Sequence, residues 1–224
     1  MNGVSVAAPP AVAVSVTAIE LAHRYAPGRG LDPVDFALAS PGVVAITGVN
    51  GSGKSTLLRI VAGLLRATRG ACHVAVDGRA IEAPLRRTVA GFAAPELAFY
   101  DEMTVAENLR FAAAARSRAP AEVAILDALA TTGLDARADD RVAALSSGLR
   151  QRMRLAFAIL HRPALLLLDE PGSHLDASGR EVVERIVERH RGSGLVLLAT
   201  NDEREWRLAD RRIELRSRGL GDPA

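Results

Sequence analysis

The residues best able to do chemistry in this 224-residue chain stand in one run, Gly48-Val49-Asn50-Gly51-Ser52-Gly53-Lys54-Ser55-Thr56. Its core follows the pattern G-x4-G-K-S, between an apolar stretch and a helical one, which is the pattern of a phosphate-binding loop. The oxygens of a triphosphate need closely spaced backbone N–H groups, and side chains at Gly51 and Gly53 would obstruct that approach. Asn50, Ser52 and Thr56 complete the cradle. Lys54 is placed to reach the β- and γ-phosphates, and the Ser55 hydroxyl to ligate magnesium. A helix starting near Gly53 adds the positive end of its dipole. Lys54 is also the only lysine against 27 arginines. It occupies the slot where a compact ammonium suits a phosphate.

A second group, Asp169-Glu170-Pro171, closes the apolar run Leu165-Leu166-Leu167-Leu168. In a parallel sheet that end lies beside the phosphate loop. Asp169 is positioned for the magnesium shell, and Glu170 to orient or deprotonate an attacking water. A third segment, Leu145-Ser146-Ser147-Gly148-Leu149-Arg150-Gln151-Arg152, is a hydroxyl-rich helix start that offers donors and a dipole to an anion.

The elements that position these groups follow from periodicity. Apolar, β-branched runs predict strands at Val12–Leu21, Val43–Thr47, Val74–Val76, Thr88–Ala93, Leu165–Leu168 and Leu195–Thr200. Leu57, Ile60, Val61 and Leu64 keep helical spacing, as do Val182, Val183, Ile186 and Val187, with Glu181 and Arg185 able to pair across a turn. Alternating strands and helices indicate an α/β domain with a largely parallel sheet. Between Thr104 and Ala144 the pattern is helical only (Val105–Arg116, Ala121–Thr132), which predicts an inserted helical subdomain.

Composition narrows the classes. With 49% hydrophobic and 24% charged residues the chain is globular, and one cysteine, Cys72, excludes an internal disulfide framework and suits a reducing compartment. Cys72 reads as a small apolar filler. A net charge of +2 and 4% aromatics give no nucleic-acid footprint, so Arg150, Arg152 and Arg154 read as a solvated or interfacial face. His23, His73, His161, His174 and His190 lack metal-ligand spacing. The uncharged stretch 1–19 carries Pro9 and Pro10 and no basic start, and 36–53 is broken by Pro41, Gly42 and Asn50. Neither is expected to span a membrane or serve as a signal peptide.

Taken in order, these motifs resemble the nucleotide-binding domain of ATP-binding cassette (ABC) transporters over roughly residues 12–215. The resemblance rests on the phosphate loop, the Leu145–Arg152 run at the signature position, Leu165–Pro171, and Ser173-His174-Leu175-Asp176, which is similar to the D-loop. Tyr25, 23 residues before Gly48, falls where the family places the aromatic that stacks on adenine. The resemblance implies an α/β phosphate-loop NTPase core with a mostly parallel sheet, an N-terminal antiparallel β portion and the helical insertion. It implies flexible tails at 1–11 and 218–224 around one domain, 12–217, with 12–95 and 151–217 as core and 96–150 as helical subdomain. The implied cofactors are ATP and Mg2+.

Two cassettes, identical or different, would close head to tail, with Ser146, Gly148 and Asp176 serving the partner's nucleotide. An integral membrane transport subunit would contact the helical subdomain and the segment around Glu96. That arrangement places the chain in the cytoplasm, peripheral on the inner face of the membrane.

Three positions depart from the family pattern. Pro95-Glu96 stands where glutamine is usual, and Glu96 could still ligate magnesium. Ser147 and Leu149 replace a glycine and a polar residue of the signature. Asn201 stands where the family carries a switch histidine; an amide can donate to a γ-phosphate without carrying an imidazole's charge, which predicts slowed hydrolysis led by Glu170. Within the family, Asp101–Leu109 resembles the small exporter ATPases of the cytochrome c maturation, or haem-export, type. The rival function is a soluble ABC-type ATPase of iron–sulphur cluster assembly.

Overall fold

Strand pairing sorts the chain into two sheets. The computed structural model describes residues 12–26, 29–115 and 122–216, so the expected tails 1–11 and 218–224 lie outside the described residues. The first sheet is antiparallel, in the order β2-β1-β4-β5: β1 is Val14–Ala26, β2 Arg29–Ala39, β4 Arg69–Val76 and β5 Arg79–Ala80. The second is wholly parallel, in the order β6-β7-β8-β3-β9: β6 is Ala90–Ala93, β7 Leu165–Asp169, β8 Leu195–Ala199, β3 Gly42–Thr47 and β9 Arg211–Glu214. This is the α/β phosphate-loop fold with an antiparallel N-terminal portion.

The continuous apolar runs of β7 and β8 are explained by burial on both faces. Leu165 and Leu167 point into a core shared with helix α1 (Lys54–Val61) and the antiparallel sheet. Leu166 and Leu168 point into a second core built with α2 (Val105–Ala114), α3 (Glu122–Thr132), α4 (Ser147–Ile159) and α5 (Ala177–Arg191). The helical insertion thus shares a core with the sheet. α4 runs across position 150, where the helical subdomain was expected to hand over to the core.

Several boundaries differ from the sequence reading, each for a physical reason. β4 runs longer than expected because it pairs with β1 along its length, and β1 runs past Leu21 because its far end pairs with β2. β2 was not anticipated at all; Asp32 and Pro33 break its alternation, and an edge strand tolerates them. Thr88 belongs to a 3-10 turn, Ala83–Thr88, and the strand begins at Ala90. α1 ends at Val61, so Leu64 falls beyond the helix and is exposed while Leu57, Ile60 and Val61 are buried. Helix α2 ends at Ala114; Arg116 and Ala121, named as helix ends from the sequence, lie outside the described residues. Val182, Val183, Ile186 and Val187 line the buried face of α5, but Arg185 donates to the Thr131 carbonyl (3.3 Å) rather than pairing with Glu181.

Candidate functional site

Three neighbouring strands of the parallel sheet deliver the candidate groups to one edge. β3 leads into the phosphate loop, β8 into Thr200 and Asn201, and β7 ends at Asp169 with Glu170 directly after it. The loop holds its shape through glycines. At Gly53, which caps α1 with φ 98°, an added Cβ would lie 2.8 Å from the Gly30 carbonyl oxygen and 2.9 Å from the Leu31 Cα. Gly51 meets no atom within 4 Å; its requirement is the left-handed φ of 85°.

Lys54 is 7% exposed yet fully engaged. Its ammonium donates to the Gly48 carbonyl (2.8 Å) and to Asn201 Oδ1 (3.2 Å), and lies 3.8 Å from Glu170 Oε1. The Asn201 amide also donates from Nδ2 to Asn50 Oδ1 (2.9 Å). One side chain after β8 therefore spans the loop from Asn50 to Lys54. Ser52 and Thr56 are buried beneath it, and Asn50 and Gly51 are exposed.

Asp169 is 1% exposed, and neither carboxylate oxygen has a hydrogen-bond partner. Burial pushes this carboxyl above its ordinary value, with the nearby Ser55 hydroxyl pulling it back and Glu96 raising it further. A buried, orphaned carboxylate facing a hydroxyl at the end of a phosphate loop fits a magnesium ion, which needs hard oxygen ligands. Glu96 stands near enough to Asp169 to raise its carboxyl, and its own carboxylate is ion-paired with Arg59 on α1.

Glu170 adopts a left-handed backbone conformation, φ 48°. Burial raises its carboxyl above the usual range, opposed first by the Lys54 ammonium and also by the Asn201 backbone N–H. A raised carboxyl beside the loop suits a proton acceptor. Its turn is braced by Gln151, buried on α4, whose Nε2 donates to the Pro171 carbonyl (2.9 Å) and the Glu170 carbonyl (3.4 Å). Arg154 in turn donates to Gln151 Oε1 (3.0 Å) and to the Leu97 carbonyl (3.2 Å). Sequence reasoning missed Gln151; the signal was a polar residue on the buried stripe of α4.

The remaining candidates stand elsewhere. Ser146 is the N-cap of α4, its hydroxyl accepting from the Leu149 N–H (3.3 Å). Asp176 caps α5, accepting from the Gly179 N–H (2.8 Å) and the Ser178 hydroxyl (3.0 Å). A Cβ on Gly148 would lie 3.1 Å from the His174 carbonyl. Gly148 thus packs α4's start against the turn before α5, and the hydrogen bonds of Ser146 and Asp176 are spent on their own helix starts. Tyr25, near the end of β1, is 52% exposed. An open cavity of about 610 Å3 beside the loop is lined by Gly48, Asn50, Asn201, Trp206 and Arg212, with the Arg212 guanidinium 4.3 Å from the Trp206 ring centroid.

Fold and site together define a phosphate-loop NTPase domain. The family model "ABC transporter" matches residues 31–173. The chain belongs to the ABC transporter family. It is 35% identical over 217 residues to a protein of Halobacterium salinarum described as an ABC transporter ATP-binding protein, covering 91% of each chain. It is 39% identical over 182 residues to the sulfate/thiosulfate import ATP-binding protein CysA of Bordetella pertussis, covering 79% of this chain and 51% of that one. The chain thus spans about half the length of that relative. Among solved structures, a dimeric post-hydrolysis state of the ATP-binding cassette MJ0796 with ADP and Pi superposes with a TM-score of 0.80 at 24% identity, over 90% of this chain and 94% of that one. The narrower resemblance to the cytochrome c maturation type has no counterpart among these relatives.

Proposed function

We propose that the chain is the ATP-binding and ATP-hydrolysing subunit of a transporter, working as one of two cassettes attached to an integral membrane partner. The observation that carries this reading is the pairing of buried Lys54 in its glycine cradle with the orphaned Asp169 carboxylate. The triphosphate would replace Asn201 and the Gly48 carbonyl as partners of Lys54. Ser55 and Asp169 would hold Mg2+, which when bound neutralises charge on the β- and γ-phosphates. Glu170, held by the Asn201 N–H and the Gln151 brace, would orient and deprotonate the attacking water. Tyr25 would stack on adenine. Ser146, Gly148 and Asp176 would serve the nucleotide of the facing cassette.

No helix among the described residues is long and apolar enough to cross a membrane. A largely apolar groove of about 520 Å3, lined by Leu64, Phe92, Leu97 and Phe157 and flanked by Arg59 and Glu96, supports docking of the membrane partner beside the helical subdomain. This surface supports transport over the soluble assembly class, with the chain held on the cytoplasmic face by its partner. The CysA relative is named for import, which supports import over haem export as the direction.

The test is a binding titration with Mg-ATP. Lys54→Ala should weaken affinity by roughly tenfold or more, the loss of charge-assisted hydrogen bonds to phosphate. Wild-type affinity in that variant would overturn the reading.

A further inference from the structure

Tyr25 is exposed, and an exposed ring that must present one face to a base gains from something that holds it. The neighbour that does so is His23, two residues earlier on β1 and only 8% exposed. The two rings meet edge to face, with centroids 4.4 Å apart and planes at 68°, the geometry aromatic quadrupoles favour. His23 is itself fixed. Its Nδ1 lies 2.8 Å from the Arg66 carbonyl oxygen, and because a carbonyl only accepts, Nδ1 carries the hydrogen.

Arg66 stands in the segment that follows α1, the helix of the phosphate loop. The same segment is tied to β1 again by Thr68, whose N–H donates to the Ala22 carbonyl (2.9 Å) and whose hydroxyl accepts from the Arg24 N–H (3.1 Å). A second route runs through backbone. A Cβ on Gly53 would collide with Gly30 and Leu31 of β2, and one on Gly30 would lie 1.9 Å from the His23 carbonyl oxygen. The phosphate cradle, the start of β2 and the His23 backbone are therefore in direct contact without slack.

We infer that His23 is a positioning residue that sets the Tyr25 ring against the phosphate loop, so that base and triphosphate are recognised at a fixed separation. This rests on the reading of Tyr25 as the adenine platform. His23 makes no contact with the nucleotide in this scheme. It acts through Tyr25 alone, so its removal should cost affinity for the base and leave affinity for the phosphates intact.

The experiment compares Mg-ATP with Mg-tripolyphosphate, which carries the phosphates and no base, on the full chain. His23→Ala should weaken ATP binding roughly threefold to tenfold, the worth of an aromatic pair, and leave tripolyphosphate binding unchanged. His23→Phe keeps a ring edge against Tyr25, and the exposed Arg66 segment can hydrate its carbonyl; it should restore most of the ATP affinity. If His23→Ala does not fold, His23→Asn removes the ring while keeping a donor for Arg66 and should show the same selective loss. Equal weakening of both ligands would mean a merely structural role and overturn the inference. So would unchanged ATP affinity in His23→Ala while Tyr25→Ala weakens it. If Tyr25→Ala itself binds ATP normally, the platform reading fails, and the inference fails with it.

Discussion

Asn201 is the residue we propose to stand in for the switch histidine expected from the family resemblance. Its amide uses both ends, accepting from Lys54 and donating to Asn50, and so closes over the loop. A neutral imidazole offers one donor and one acceptor as well, but it can also take a proton and carry charge toward a γ-phosphate. Asn201→His, assayed with the membrane partner, should hydrolyse ATP faster, by about tenfold or more if the imidazole joins in proton transfer. Turnover no faster than wild type would overturn the expectation that the amide slows hydrolysis. Lys54, Asp169 and Glu170 were legible in the sequence because residue type and spacing alone define their chemistry. The ion pair of Glu96 was not, since only the fold reveals that Arg59 lies within reach of it.

At the scale of elements, the interior announced itself and the margins did not. β7 and β8 read as unbroken apolar runs because both faces are covered. β9 sits at a sheet edge with largely exposed side chains and carries no apolar period, while on the edge strand β2 the alternation of Val34, Phe36 and Leu38 is short and is interrupted before it by Asp32 and Pro33. Ser146 could be read as a helix cap, but the packing of Gly148 against the His174 carbonyl is a fact of three dimensions. Helix α5 carries a pH dependence of its own. Burial lowers the His190 imidazole below its ordinary 6.5, with the neighbouring Arg189 charge acting in the same direction and the Nδ1 bond to the Ile186 carbonyl opposing.

The unfolded chain therefore takes up the proton first. The stability contributed by neutral His190 is full above about pH 6.5 and is lost as the pH falls from there toward the lower folded value. Thermal melts between about pH 7 and about pH 5.5 should show a falling midpoint, and His190→Gln should flatten that slope. Identical slopes in the two proteins would exclude His190 as the source.

For the whole molecule, the proposed function makes one chain the holder of two half-sites. The phosphate loop with Glu170 is one, and the patch of Ser146, Gly148 and Asp176 is the other. Completing either takes a second cassette, and closure would carry the helical elements and any attached partner with it. Glu170→Gln keeps the cradle and removes the proton acceptor, so it should bind Mg-ATP at wild-type affinity and accumulate as a dimer. Size-exclusion chromatography with light scattering would show the shift, and a variant that stays monomeric with ATP would contradict the closure scheme.

The strand that feeds the phosphate loop also has a history. β3 is flanked by β8 and β9, both of which lie some 150 residues further along. During synthesis its apolar backbone leaves the ribosome early and waits, at about 5–20 residues per second, for roughly 8 to 30 seconds before either neighbour exists. The nucleotide cradle is thus made well before it is secured, and the growing chain carries an open strand edge, a template for wrong pairing, until β8 emerges.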